Sequence, residues 1–257
     1  YEIPHVFSVD ILEEAEKVSR WPLGEREDLR DLPIIAIDPA DARDHDDAVW
    51  AAPAEGGGFD AIVAIADVSF YVRHGSQIDR EARKRGNSVY FPDRVVPMLP
   101  ESLSADMCSL KQGQDRAALA CHLRIDGKGK LSGFRFSRAV IRVAANLSYE
   151  EAQGAIDRGG HPLLEPALKP LWACWSLLAK ARAQREPLEL DLPERRVQLD
   201  SEGRISAISV RERLDAHRLI EDFMIMANVA AAKALEAKKA PVMYRVHEPP
   251  AREKLVA

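Results

Sequence analysis

Apolar residues recur along this chain with two periods, and the changes between them mark out its elements. In "SVDILEEAEKVSRW", Ser8 to Trp21, they fall at three- and four-residue steps, which predicts a helix with Ser8 as its N-cap and Pro22 as its stop. "LPIIAID" reads as a strand that runs into an aspartate-rich loop. "AVWAAPAEGGGFDAIVAIADVSFYV" reads as strand, glycine turn, strand. "SQIDREARKRG" predicts a short basic helix closed by Gly86, and the proline-broken "SVYFPDRVVPMLP" an edge strand or ordered loop. Two strands flank the turn "DGKGK", followed by a helix starting at Ser148.

Farther along, residues 162–185 read as helical, a strand pair surrounds "DSEGR", and "DAHRLIEDFMIMANVAAAKALEAKK" is a long helix of strong helix formers. "APVMYRVHEPP" reads as a final strand and loop. Strands and helices interleave without a βαβα rhythm. The expected class is therefore α+β, a mixed, largely antiparallel sheet flanked by helices.

Composition narrows the function only by exclusion. Apolar residues make up 46% of the 257, enough for a substantial core, and no apolar run reaches the ~18 residues a membrane helix needs. Cys108, Cys121 and Cys174 lie far apart, which suits reduced thiols in a cytoplasmic protein better than a disulfide framework or a zinc site. A net charge of −5 neither announces nor excludes a nucleic-acid partner, since local distribution matters more than the sum. A chain that opens on Tyr1 reads as a piece of something longer.

The chemistry concentrates in "IDPADARDHDDAV", where Asp38, Asp41, Asp44, Asp46 and Asp47 fall within ten residues at the end of an apolar strand. Carboxylates this close resist ionising together unless cations neutralise them. Oxygen donors with little nitrogen or sulfur suit magnesium or manganese. A calcium loop counted from Asp44 fails, because Ala48 and Val49 occupy a ligand place and the glycine place. A solvated acidic loop is the plain alternative, and Asp41 after Pro39 has a turn-shaping role open to it. Carboxylates binding two divalent ions suit in-line attack of water on a phosphodiester. The residues alone thus indicate a metal-dependent phosphoester hydrolase without naming its substrate.

The same stretch resembles the signature of the RNB catalytic domain of the ribonuclease II and ribonuclease R exoribonucleases. "VAIADVSFYV", "DREARKRGNSVYFPDRVVPMLPESLSADMCSL", "DAHRLIEDFMIMAN" and "YRVHEPP" follow in the family's order, and the likeness is nearest the ribonuclease R branch. The resemblance implies processive digestion of single-stranded RNA from its 3′ end to nucleoside 5′-monophosphates, with magnesium. It implies Asp38, Asp44 and Asp47 as metal ligands and Asp46 as the residue on which the chemistry most depends, holding a second ion or the water. Tyr90 matches the tyrosine that stacks on the 3′-terminal base, and Glu221 the glutamate that contacts the terminal nucleotides.

The pattern supports these roles unevenly. Any base offers a π-face to an aromatic platform, although Tyr90 would serve equally as an edge-strand aromatic. His217, Glu221, Met224 and Asn228 form a mostly polar helix stripe opposite Leu219, Ile220, Phe223 and Ala227, facing either solvent or a cavity. Asp222 reads as an i,i+4 partner of Arg218. Arg80, Arg83, Lys84, Arg85, Arg94, Arg138 and Arg142 are candidates for an RNA path or for solvated surface.

His45 stands where many relatives are apolar; beside acidic neighbours a titrating or metal-touching role is open to it, and a packed or solvated imidazole is the plainer reading. Asn146 stands where relatives often carry arginine. The expected organisation is a monomeric RNB catalytic domain over 1–257, incomplete at its C-terminus. It lacks the arginine-rich segment that completes the site and the flanking OB-fold RNA-binding domains, so the piece alone is expected to be weak or inactive. The rival readings are a non-catalytic RNA-binding fragment and a metal-dependent small-molecule phosphodiesterase.

Overall fold

The computed structural model describes residues 3–184, 195–210, 212–244 and 246. Helix α1, Val9–Ser19, buries Ile11, Ala15 and Val18 along one stripe. Ser8 has the extended backbone of an N-cap, but its hydroxyl makes no capping bond. Strand β1, Glu27–Asp28, is too short to show any pattern in the sequence. Strands β2, Ile35–Asp38, β3, Asp47–Pro53, and β4, Phe59–Ala66, then form an antiparallel meander.

The apolar run after β4 does not continue as strand. Val68–Tyr71 turns into a single helical turn, α2, that buries Tyr71 against Phe70, itself packed edge-on to Trp21. Helix α3, Gln77–Arg85, begins with Ser76 Oγ accepting from Asp79 N and ends where Gly86 adopts φ +84°, a conformation glycine enters without a Cβ penalty. Strands β5, Val89–Tyr90, and β6, Val95–Val96, make a small separate hairpin, and a turn of π-helix follows at Leu103–Met107.

The long strands β7, Asp115–Ile125, and β8, Leu131–Arg142, turn at Asp126, whose carboxylate accepts from the amides of Lys128 and Lys130. Strand β9, Ala145–Ser148, leads directly into helix α4, Tyr149–Arg158, through a capping box between Ser148 and Glu151. A π-turn at Leu164–Leu168 precedes helix α5, Lys169–Ala183. Strands β10, Arg195–Leu199, and β11, Ile205–Val210, form a second separate hairpin, and helix α6 spans Asp215–Ala237. Pro241–Tyr244 carries no strand, and the expected "HEPP" loop lies outside the described residues.

Seven strands form the main sheet in the order β1-β8-β7-β4-β3-β2-β9. Its interior pairs are antiparallel, and the outermost pairs, β1 with β8 and β2 with β9, are parallel. Both faces are covered, which is why its strands read as nearly unbroken apolar runs. On one face Ile35, Ile37, Val49, Val63 and Leu123 share a core with Leu171, Cys174, Leu219 and Phe223 of α5 and α6. On the other, small residues such as Ala36, Ala48, Ala64 and Ala118 let α1 and the Leu103 turn approach closely. The three thiols are free and buried. Among the described residues no helix is long and apolar enough to cross a membrane.

Candidate active site

The acidic residues lie where β2 gives way to β3. Asp38 is the last residue of β2 and Asp47 the first of β3, so the loop 39–46 hangs from the mouth of an antiparallel pair. Pro39 starts it with a tight turn, its carbonyl accepting from Ala42 N at 2.9 Å. At the far side, Asp46 O accepts from Ala66 N at 2.9 Å and ties the loop to the end of β4.

Each carboxylate has a different environment. Asp38 Oδ2 lies 2.7 Å from His45 Nδ1; with Asp38 ionised, the imidazole N–H is the donor. His45 is therefore neither merely packed nor solvated: it is bonded to a candidate ligand. Asp44 Oδ2 accepts from the Tyr90 hydroxyl at 2.8 Å, and burial together with this carboxylate pushes the phenol up to about 12. Burial, then the charges of Asp44 and Asp38, raises the proton affinity of Asp46, with His45 opposing. Burial, then Asp38 and Asp46, pushes Asp47 up to about 7. One oxygen of Asp47, Oδ2, is buried without a hydrogen-bond partner.

These features are those of carboxylates that no lysine or arginine among the described residues pairs with. Among the described residues no three acidic, histidine or cysteine groups already form a set able to hold an ion. The all-oxygen donor set and the orphaned Asp47 oxygen nonetheless fit a hard divalent cation.

The structure does not bring Glu221 into contact with the aspartates. Its carboxylate lies between Arg182, at 3.3 Å, and Arg213. Asp222 does not pair with Arg218. It is buried between α5 and α6, where it accepts from Arg182 at 2.8 Å and from Trp175 Nε1 at 3.0 Å, while Arg218 pairs with Asp215. Leu219, Ile220, Phe223 and Ala227 form the buried face as expected.

Several candidate RNA contacts are occupied within the chain. Arg85 is buried over Phe7 and donates to the carbonyls of Pro4, Val6 and Pro97, a structural clasp. Arg83 pairs with Asp79, Arg94 with Asp93, Arg138 with Asp67 and Arg142 with Asp115, while Arg80 and Lys84 are exposed. Asn146 is a brace: its Oδ1 accepts from Gln112 N at 2.7 Å and its Nδ2 donates to Leu110 O at 3.0 Å. That braced segment reaches the acidic loop, since Leu110 N donates to His45 O at 2.8 Å. No local sequence pattern marks Asn146 or its segment, because their partners are distant along the chain.

Comparison with known proteins fits this geometry to a family. The family model described as the RNB domain matches residues 26–257. The chain belongs to the RNB domain family. Among relatives, the ribonuclease R of Escherichia coli (strain K12) is 41% identical over 266 aligned residues, covering 100% of this chain and 33% of that protein. Among solved structures, Mycoplasma genitalium RNase R in complex with ribose methylated single-stranded RNA superposes with a TM-score of 0.92 at 30% identity, covering 99% of this chain and 41% of that one. Yeast Ssd1, described as a pseudonuclease, shares the fold with a TM-score of 0.65 at 19% identity over 91% of this chain and 28% of that one. The chain spans about a third of the length of the E. coli relative.

The raised proton affinity of Asp47 makes a prediction for the ion-free RNB domain. A carboxyl moved from 3.8 to about 7 on folding holds its proton more tightly in the folded state, so its contribution to stability falls as pH rises through that window. At pH 8 with chelator, Asp47→Asn is expected to raise Tm by at least ~2 °C, with a smaller gain near pH 5. Added magnesium should stabilise the parent and not the variant. Thermal unfolding at the two pH values checks this, and a lower Tm for the variant at pH 8 would contradict the assignment.

Proposed function

We propose that this chain is the catalytic region of a ribonuclease R-like exoribonuclease that processively shortens single-stranded RNA from its 3′ end to nucleoside 5′-monophosphates. The observation that carries the reading is the loop from Asp38 to Asp47, five carboxylates with an orphaned buried oxygen at Asp47, within an RNB fold. Asp38, Asp44 and Asp47, with Asp46, would hold two divalent ions, magnesium or manganese. Bound there, the ions supply an activated water and a stabilised leaving oxygen.

The chain's own groups have distinct tasks. Asp46 orients the attacking water or holds the second ion. Tyr90, 63% exposed, offers its ring to the terminal base while its hydroxyl rests on Asp44. Glu221, set between two guanidiniums, is held to receive the terminal nucleotides. The exposed basic residues Arg80 and Lys84 attract phosphates without reading sequence.

Because the relatives are about three times longer, we propose that OB-fold domains and an arginine-rich segment belonging to the rest of such a protein complete its grip and its site. The 257-residue chain is then a slow nuclease in a cytoplasmic, monomeric enzyme. The rival reading, RNA binding without cutting, draws on the fold shared with a pseudonuclease; the crowded aspartates Asp38, Asp44, Asp46 and Asp47 favour cutting.

Asp46→Asn is expected to lower single-turnover hydrolysis at least ~10²-fold while leaving the affinity for single-stranded RNA within about twofold, because its contribution arises in the transition state. Filter binding and product release on the same preparations check it; near-normal hydrolysis would remove Asp46 from the mechanism.

Tyr90→Ala should leave cleavage intact and lengthen the final product. One stack is worth roughly 1–3 kcal/mol, enough to release short remnants early. The length distribution of end products decides: an unchanged distribution would make Tyr90 merely structural.

A further inference from the structure

Ser109 follows the π-turn at Leu103–Met107 and has no accessible surface. A buried hydroxyl usually satisfies itself within its own segment. Here both of its bonds cross to the acidic loop. Its Oγ accepts from His45 N at 3.0 Å and donates to Arg43 O at 3.2 Å. With Leu110 N donating to His45 O at 2.8 Å, this segment supplies the main-chain hydrogen bonds described for residues 43–45. Asp44 lies between those two anchor points and Asp46 just beyond them.

The anchor is itself fixed from both sides. Buried Arg116 of β7 donates from Nε to Ser109 O at 3.0 Å and from Nη2 to Asp106 Oδ1 at 2.9 Å. Asn146 of β9 grips Leu110 O and Gln112 N. Left to electrostatics alone, a loop carrying this many carboxylates would splay outward.

We infer that Ser109 is a positioning residue of the reaction: its hydroxyl holds the Arg43–His45 main chain in the conformation that aims Asp44 and Asp46 at one divalent cation and the phosphate beside it. This rests on the proposed function for the choice of cation and substrate. A serine is suited to the task because one small group both donates and accepts, with no room needed for a longer amide.

The test compares the 257-residue chain with Ser109→Ala, which removes both bonds with almost no change in volume, and with Asn146→Ala, which loosens the same segment from a less buried position. Three quantities are read: Mn2+ affinity from the free-ion EPR signal, amide hydrogen exchange at His45 and Leu110 without metal, and single-turnover hydrolysis of single-stranded RNA. Two lost hydrogen bonds should weaken Mn2+ binding about tenfold or more in Ser109→Ala, with faster exchange at both amides and a lower kcat at unchanged KM. Asn146→Ala should move each quantity in the same direction, and decides the matter if Ser109→Ala does not fold.

Unchanged exchange and unchanged Mn2+ affinity in a folded variant would overturn the inference, whatever the parent hydrolyses. If the parent itself binds no Mn2+ while exchange still quickens in the variants, the proposed function fails and with it the catalytic part of the inference. If the parent binds Mn2+ and cuts RNA and the variants match it, only the role of Ser109 falls.

Discussion

Carboxylates crowded into one short loop repel one another, and the surroundings of the loop between β2 and β3 are arranged around that repulsion. Burial raises its cost, as the upward shifts of Asp46 and Asp47 register. Hydrogen bonds restrain the loop: the Tyr90 hydroxyl on Asp44, main-chain and serine bonds on residues 43–46, and the His45 imidazole on Asp38. Arg116 is spent on the segment that grips the loop, and Arg26 and Arg138 on buried Asp67.

The sheet makes this restraint possible. β2 is flanked by β3 and β9, so the loop leaves a strand held on both edges. The same parallel pairing places Asn146 of β9 opposite Ala36 and lets its amide brace the 110–112 segment. Glu221 belongs to a different layer, the helices over the opposite face from α1, and is held by a separate cationic pair. The two parts of the proposed site are thus built independently, one on strand ends and one on a helix.

What the sequence made legible was local. The meander, the helix start at Ser148, the stop at Gly86 and the acidic loop all follow from spacing over a few residues, and all are present. What it hid was long-range. β1 and β9 are short strands whose partners lie far along the chain, so no periodicity announces them. The run after Asp67 has the alternation of a strand yet coils into α2, where it buries Tyr71. Asp222 has an arginine one helical turn away but takes one from α5, because burial between helices favours a partner that arrives from the same interior. Ser109 carries no pattern of its own; only the fold shows that its bonds go to the aspartate loop.

Under the proposed function, this loop makes the chain an RNA-cutting site working from the 3′ end. Its most direct test is single-turnover incubation of excess protein with single-stranded RNA labelled at its 3′-terminal nucleotide, with magnesium or with chelator. The account predicts that the first labelled product is the terminal nucleoside 5′-monophosphate, formed slowly and only with the ion. Labelled fragments from internal cuts, or release undiminished by chelator, would contradict it.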